Sequence, residues 1–162
     1  MEWREVIENP SLRDLPFKIE TNEWGEIVMT PATVRHGRYQ SLIDKWLGRL
    51  SQEGQTCTEC PIQTSEGVKV ADVAWGSTEF FKRNREDVPF LPESPEIVVE
   101  VKSPSNTIEE MERKRKLYFE KGSKEVWFCD KEGTMHFFNP RGELERSELF
   151  GEFPGHIDID FA

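Results

Sequence analysis

The sequence lacks the features that mark membrane-spanning and secreted proteins. No run of about 18 apolar residues occurs among its 162 residues, so no membrane-spanning helix is expected. The first residues, Met-Glu-Trp-Arg-Glu-Val, do not form the basic stretch and apolar segment of a secretory signal. Cysteine is scarce, and an odd count of three suits a reducing compartment better than a disulfide framework. We therefore expect a cytoplasmic protein that does not contact a membrane.

Basic residues are also in deficit. Lysine and arginine number 21 against 31 aspartates and glutamates, which gives a formal net charge of −10. Proteins that bind nucleic acid tightly usually display a basic surface, so we expect only weak non-specific affinity for DNA. The acidic balance does not exclude a nuclease, because carboxylates that bind a metal ion add negative charge at the site itself.

One pair of cysteines, Cys57 and Cys60, has the CxxC spacing. A structural zinc site normally needs four ligands, a second pair is missing, and the three histidines are scattered. A thioredoxin-like redox pair would lie near a βαβ pattern, and none surrounds these residues. Two ordinary strand residues are the simplest interpretation, with zinc binding and redox chemistry as alternatives.

The periodicity of apolar residues predicts a single domain over residues 1–162, without repeats or convincing linkers. The fold class is α/β (α+β), with a mixed central sheet flanked by helices and an N-terminal β-hairpin. The expected strands are 17–22 and 26–30 in the hairpin, then 56–64, 68–75, 97–101, 125–130 and 134–139. Helices are expected over 34–51, 78–86 and 105–122, and the tail from Gly151 is weakly patterned.

Two apolar strands each contain a carboxylate. Glu100 interrupts the run Ile97–Val101, and Asp72 lies within Val68–Trp75. An ionised carboxylate in such a strand is costly unless it is paired or binds a metal ion. Lys102 is two positions beyond Glu100, so alternation places both on one face of the sheet. An ion pair between Glu100 and Lys102, with Asp72 at a strand end, is the structural alternative.

Two carboxylates and a lysine are what phosphoryl transfer requires. Carboxylate oxygens bind Mg²⁺ or Mn²⁺, which prefer oxygen ligands. The ion polarises the phosphate and lowers the pKa of bound water, and a lysine adds positive charge beside the reacting group. Asp72, Glu100 and Lys102 are therefore the candidate catalytic residues.

The order Asp72, then Glu100-Val101-Lys102, resembles the D…ExK motif of the PD-(D/E)XK nuclease superfamily. The resemblance runs from about Gly25 to Pro140 and is to the Uma group of restriction endonucleases, which is abundant in cyanobacteria. Ala71 stands where the superfamily name has proline, whereas the lysine that many relatives lack is present. The residues that carry the closer resemblance are Gly25–Pro31, His36, Val98–Thr107, Lys114, Tyr118, Gly122 and Glu125-Val126-Trp127.

The resemblance implies a restriction-endonuclease-like fold and a role for each motif residue. Asp72, Glu100 and the backbone carbonyl of Val101 would be metal ligands, with Mg²⁺ or Mn²⁺ as the cofactor, and Lys102 the catalytic lysine. Lys114 and Tyr118 lie one turn apart on a predicted helix and resemble the glutamine-to-tyrosine helix motif of some of these nucleases.

Several accessory candidates have equally ordinary interpretations. Lys114, a candidate phosphate contact, could be a solvated lysine in the basic run 113–116, which in turn could meet a nucleic-acid backbone or simply suit the helix dipole. His36 could contact the metal ion or be a hydrogen-bonded histidine near the start of a helix. Glu20, on the hairpin, is a weaker candidate.

The leading hypothesis is a Mg²⁺-dependent endonuclease that hydrolyses phosphodiester bonds of DNA. A catalytically inactive nuclease-fold scaffold or binding protein is the alternative, and an enzyme acting on another phosphodiester is a third. A small domain that cuts both strands usually pairs with a second copy, so a homodimer is expected.

Overall fold

The computed structural model describes residues 1–160 of the chain, and in them it contains a six-stranded mixed sheet, a two-stranded hairpin and four α-helices. The helices are α1 (Trp3–Glu8), α2 (Val34–Leu50), α3 (Thr78–Arg83) and α4 (Ile108–Glu120), and a 3₁₀ turn covers Pro10–Leu12. The strands are β1 (Phe17–Thr21), β2 (Ile27–Pro31), β3 (Gln55–Thr64), β4 (Gly67–Gly76), β5 (Ile97–Val101), β6 (Glu125–Cys129), β7 (Met135–Asn139) and β8 (Gly142–Leu144).

The large sheet has the strand order β3-β4-β5-β6-β7-β8, and β1 pairs with β2 in the separate hairpin. Neighbouring strands are antiparallel except β5 and β6, which are parallel and joined through α4. Every residue of β5 is buried, which explains its nearly uninterrupted run of Ile and Val. The expected mixed sheet with an N-terminal hairpin is confirmed.

The two long helices cover opposite faces of the sheet. On α2, Tyr39, Ile43 and Leu47 recur at helical spacing and pack in one core cluster with Val99 and Trp127. On α4, Tyr118 packs in a second cluster with the sheet residues Val98 and Val126. Among residues 1–160, none of the helices combines the length and the apolar character that crossing a membrane requires.

The start of α4 differs from the expected 105–122. The Thr107 hydroxyl accepts the Glu110 N–H at 3.1 Å and the Glu110 carboxylate accepts the Thr107 N–H at 3.2 Å, which forms a capping box. Before it, Ser103 and Asn106 close a turn through hydrogen bonds of 3.1 Å. The helix therefore begins only after Thr107.

Both ends of the described chain contribute to the core. The weakly patterned tail buries Phe153, Ile157 and Ile159, and the Phe153 ring lies 4.6 Å from that of Trp127. At the other end, the six-residue α1 buries Trp3 and Val6. Neither segment has a clear apolar periodicity, so the sequence analysis did not identify them as elements of the core.

Candidate active site

The two carboxylates singled out in the sequence meet where two strands stop pairing. The β4–β5 ladder ends at the pair Val73 and Val99, and the next residues in register are Asp72 and Glu100. Instead of a ladder bond, the Asp72 carboxylate accepts the Val101 N–H at 2.7 Å. Both carboxylates are only 2% exposed. The end of the ladder thus leaves room for two acidic side chains inside the protein.

A lysine from the hairpin joins these carboxylates. The Lys18 ammonium lies 3.1 Å from Asp72 Oδ1 and 3.0 Å from Glu100 Oε2. It also lies 4.0 Å from Glu20 Oε2. Because one ammonium contacts both Asp72 and Glu100, the two carboxylates are on the same side of the sheet and within reach of a single cation.

Glu20 is placed by the way β1 lies beside the first half of β4. Its carboxylate accepts the Val70 N–H at 2.7 Å, and the neighbouring Thr21 hydroxyl accepts the Val68 N–H at 2.8 Å. These side chains satisfy strand N–H groups that would otherwise be buried without partners. The hydrogen bonds of Glu20 and Thr21 therefore anchor the hairpin to β4, and this anchoring places Glu20 and Lys18 at the site.

Helices α4 and α2 supply the remaining partners. The Tyr118 hydroxyl donates to Glu100 Oε1 at 2.6 Å. One turn earlier, the Lys114 ammonium lies 2.9 Å from Glu20 and 3.6 Å from Glu100 Oε1. His36, in the first turn of α2, has its Nε2 at 3.3 Å from Asp72 Oδ2. All three accessory candidates from the sequence are thus in contact with the carboxylates.

The charges of this cluster shift the pKa values of its members. Burial opposes ionisation of Lys18, but Glu100, Asp72 and Glu20 outweigh it and raise the pKa of its ammonium well above the usual value. Burial would also raise the pKa of Asp72, yet Lys18, His36 and the Val101 N–H hold it well below its usual range.

The pKa shifts of Glu100, Glu20 and His36 depend on whether burial or the neighbouring groups have the larger effect. For Glu100, burial outweighs Lys114 and Lys18 and raises the pKa. For Glu20, the same two lysines overcome burial and lower the pKa. Burial lowers the pKa of His36, but the hydrogen bond to Asp72 and the charges of Asp72 and Glu100 together outweigh it, so the pKa is raised overall.

Lys102 is placed differently from its neighbours in the motif. Strand β5 ends at Val101, and the Lys102 N–H donates to the Cys129 carbonyl at 2.8 Å. Its side chain is partly exposed, and among residues 1–160 no carboxylate forms an ion pair with it, Glu100 included. The ammonium groups that contact the carboxylates belong to Lys18 and Lys114.

Lys18 is the site residue that the sequence interpretation missed. Lys18 and Glu20 are two positions apart in β1, so they lie on one face of the strand, and this spacing can be read from the sequence. A short hairpin strand with charged residues on one face is, however, also typical of a solvent-exposed surface. The burial of this face depends on the docking of β1 against β4.

The donor set has the chemistry of a site for a hard divalent cation. Carboxylates of Asp72, Glu100 and Glu20, with the His36 imidazole nearby, provide the oxygen-rich ligands that Mg²⁺ and Mn²⁺ prefer. Across residues 1–160, no three of the His, Cys, Asp and Glu side chains are arranged to enclose an ion. The types of residue suit a divalent ion, but the Lys18 ammonium lies between the carboxylates of Asp72 and Glu100.

The basic run on α4 does not form one continuous patch. Arg113 is paired with Glu66, Lys114 points to the carboxylates, and the Arg115 guanidinium lies 4.1 Å from the centre of the Phe138 ring. A phosphate backbone would therefore meet these side chains one at a time.

Cys57 and Cys60 both lie in strand β3. The three thiols are free, and none of the residues 1–160 forms a zinc-like group with them. A hydrogen bond to Cys60 lowers the pKa of the Cys57 thiol to about 7. The structure thus places both cysteines in the ordinary strand that the simplest interpretation expected.

A cleft of about 800 Å³ lies between α4 and the β7–β8 turn, and a second of about 530 Å³ lies beside the carboxylate cluster. The second cleft runs between the hairpin and α4 and reaches Glu20 and Lys114. On the hairpin side it is lined by Trp24, which is 75% exposed, and by Met29, which is 41% exposed. This cleft provides an approach from solvent to Glu20 and Lys114, whereas Asp72 and Glu100 do not line it.

Comparison with known proteins gives one family and a structural likeness. A family model described as "Uma2: Putative restriction endonuclease" matches residues 13–156. The fold is similar to the crystal structure of a protein described as a putative nuclease belonging to DUF820 from Anabaena variabilis ATCC 29413. The TM-score is 0.74 at 16% identity, over 97% of this chain and 94% of that one.

A DrdV–DNA complex solved by electron cryomicroscopy matches with a TM-score of 0.47 and 14% identity, over 94% of this chain and 13% of that one. No curated protein matches the sequence.

Proposed function

Since the chain belongs to the Uma2 family of restriction endonucleases, we propose that it is a cytoplasmic endonuclease that hydrolyses phosphodiester bonds of DNA with Mg²⁺ or Mn²⁺. The observation that carries this proposal is the meeting of Asp72 and Glu100 at the end of the β4–β5 ladder, with lysines beside them. Family membership supports the nuclease class, and the metal requirement is the part that the proposal adds.

Asp72, Glu100 and the Val101 carbonyl are the proposed metal ligands. A divalent ion bound there would polarise the scissile phosphate and supply hydroxide at neutral pH. The Val101 N–H and His36 Nε2 both contact Asp72 Oδ2, at 2.7 and 3.3 Å, and so fix the orientation of this carboxylate. A ligand fixed in this way loses little conformational freedom when it binds an ion.

Glu100 is held by side chains of α4. Tyr118 donates to Oε1, and Lys114 contacts the same oxygen, which fixes the rotation of the carboxylate. Lys102 is the proposed catalytic lysine. Within residues 1–160 no carboxylate forms an ion pair with its ammonium, so it can place positive charge beside a phosphate that approaches the end of β5.

DNA is the proposed substrate, and a homodimer the proposed assembly. With a net charge of −10, long-range attraction to DNA is weak, so binding depends on local contacts and on the metal ion. A single site cuts one strand, and two copies related by a twofold axis would present two sites to a duplex. Sedimentation equilibrium of the purified protein tests this assembly.

A catalytically inactive nuclease-fold protein is the second candidate. The Lys18 ammonium bridges Asp72 and Glu100 and compensates their charge without a metal ion. A site that is satisfied in this way would be stable as a purely structural ion-pair network. This alternative predicts a folded protein that does not cut DNA under any metal condition.

Plasmid cleavage separates the two candidates. Supercoiled DNA is incubated with wild-type protein and Mg²⁺ or Mn²⁺, and with the isosteric variants Asp72→Asn, Glu100→Gln and Lys102→Met. Glu112→Gln is the matched control, because Glu112 is exposed on the same helix as Lys114. We expect nicked and linear products from wild type and the control, and rates lower by at least about 100-fold in the three site variants.

Two results would count against the nuclease proposal. Absence of cleavage by wild type with either ion would favour the inactive protein. Cleavage that survives equally in Asp72→Asn and Glu100→Gln would show that the activity comes from a contaminant. Cleavage lost in these two variants but intact in Lys102→Met would preserve the function and remove Lys102 from its proposed role.

A further inference from the structure

Lys18 occupies the space that a cation shared by Asp72 and Glu100 would take. Its Nζ is 3.1 Å from an oxygen of Asp72 and 3.0 Å from an oxygen of Glu100, so it forms a direct hydrogen-bonded ion pair with each. The carboxylates come from adjacent strands, and the lysine comes from a third strand outside the main sheet. The ammonium therefore joins two parts of the fold.

The lysines of the cluster balance most of the charge of its carboxylates. Asp72, Glu100 and Glu20 carry up to three negative charges, and Lys18 and Lys114 supply two positive ones. Buried carboxylates without such compensation are strongly unfavourable. Lys18 is the only ammonium within residues 1–160 that contacts Asp72, so that carboxylate depends on it more than the others do.

We propose that Lys18 is an internal counter-cation that a divalent metal ion displaces when it binds between Asp72 and Glu100. The inference rests on the proposed assignment of these two carboxylates as metal ligands. Mg²⁺ binds carboxylate oxygens at about 2.0–2.1 Å. An ammonium within about 3 Å of the same oxygens would be in contact with that ion and would repel it, so the two cations exclude each other.

The side chain of Lys18 has a route by which it can leave. It is 17% exposed, whereas the side chains of Asp72 and Glu100 are 2% and 3% exposed. The lysine stem is flexible, and the hairpin that carries it does not belong to the six-stranded sheet. The ammonium can therefore move towards solvent while the carboxylates stay in place.

Lys114 provides a matched comparison. It carries the same charge and is 14% exposed, but it contacts Glu20 at 2.9 Å and the other oxygen of Glu100 at 3.6 Å. It does not lie between Asp72 and Glu100. Removing Lys114 changes the charge of the cluster as much as removing Lys18, without vacating the space between those two carboxylates.

Calorimetric titration with Mn²⁺ tests the exchange in the absence of DNA. The proteins are wild type, Lys18→Met, Lys114→Met, and Lys116→Met as an exposed charge control on α4. We expect Lys18→Met to bind Mn²⁺ at least about tenfold more tightly than wild type, since no ammonium has to be displaced. Lys114→Met should gain less, Lys116→Met should match wild type, and adding Asp72→Asn to Lys18→Met should abolish binding.

Several results would overturn the exchange. Unchanged or weaker binding in Lys18→Met would show that the lysine does not compete with the ion. An equal gain in Lys114→Met would show that only net charge matters, and absence of binding in every protein would show that there is no metal site. Wild-type binding too weak to detect, beside measurable binding in Lys18→Met, would support the exchange.

A second measurement uses wild type and does not depend on a variant that folds. Acetic anhydride modifies accessible amines, and mass spectrometry locates the modified lysines. At saturating Mn²⁺ we expect faster modification of Lys18 and no change at Lys114. Slower or unchanged modification of Lys18 in the Mn²⁺-bound protein would overturn the exchange.

The outcome is independent of whether the protein cuts DNA. A wild type that cleaves plasmid while Lys18→Met binds Mn²⁺ no more tightly would refute the exchange and leave the nuclease proposal standing. Tighter binding in Lys18→Met, together with a wild type that never cleaves, would refute the nuclease proposal alone.

Discussion

Replacing Tyr118 with phenylalanine removes a single hydroxyl from the centre of the site. That hydroxyl donates to Glu100 Oε1 at 2.6 Å, and both residues are buried, with exposures of 0% and 2%. Burial and the neighbouring Glu100 raise the pKa of Tyr118 well above its usual value, so the hydroxyl keeps its proton at working pH. The substitution retains the ring and therefore creates no sizeable cavity.

The expected destabilisation follows from the charge of the acceptor. A buried hydrogen bond to a charged group contributes about 1.5–3 kcal/mol, and its loss leaves a carboxylate oxygen with only Lys114 at 3.6 Å. We therefore expect the free energy of unfolding to fall by about 2 kcal/mol. For a chain of this size, the melting temperature should fall by roughly 4–8 °C.

Urea unfolding followed by circular dichroism, in metal-free buffer at neutral pH, measures this effect. Tyr39→Phe is the matched control, because the chain has two tyrosines and the Tyr39 hydroxyl contacts no buried carboxylate: it accepts a hydrogen bond from the exposed Arg35 at 3.1 Å and donates to a neutral carbonyl at 3.5 Å. The free energy of unfolding of Tyr39→Phe should fall by less than about 1 kcal/mol, and its dependence on urea concentration should match that of wild type. A loss below about 0.5 kcal/mol in Tyr118→Phe, or equal losses in both variants, would refute the assigned role of the hydroxyl.

Two further predictions concern groups outside the site. Glu125 is 2% exposed and accepts hydrogen bonds from an indole, a hydroxyl and two backbone N–H groups, three of these donors within residues 147–149. Glu125→Gln should lower the free energy of unfolding, measured in urea, by about 2–3 kcal/mol, because an amide has one acceptor oxygen and its N–H groups would face the donors. A loss no larger than that of Glu145→Gln, at an exposed position, would contradict this. The hydrogen bond to Asp130 raises the pKa of the His136 imidazole above 6.5. The protonated imidazole therefore stabilises the folded protein below pH 6.5, and this contribution is lost as the pH rises through the folded-state pKa. His136→Gln should lower stability by a few tenths of a kcal/mol at about pH 6 and by nothing at about pH 9, and a difference between variant and wild type that grows with pH would have the wrong sign.

The long elements of the fold were predictable from local patterns. Apolar residues at helical spacing identified α2 within one residue, and alternation identified β4 within one residue at each end. Two short elements were missed, α1 with six residues and β8 with three, although α3, which also has six, was expected over 78–86. Their positions depend on what they pack against, as does the tail that buries Phe153.

Half of the site was visible in the sequence for a similar reason. Asp72 and Glu100 stand out because each interrupts an apolar strand, and burial of a carboxylate requires a partner whatever the fold. Tyr118 and Lys114 were singled out by the resemblance to a helix motif of these nucleases, and they lie one helical turn apart. These signals are contained within single elements, so the sequence alone determined them.

The cations that meet those carboxylates were decided by tertiary structure. Lys18 lies 54 positions from Asp72 and 82 from Glu100, and only the docking of the hairpin against β4 brings them into contact. Lys102, two positions from Glu100, forms no ion pair with it because β5 ends at Val101 and alternation holds only while a strand continues. The sequence by itself determined where negative charge had to be compensated, and the packing of β1 determined which lysine compensates it.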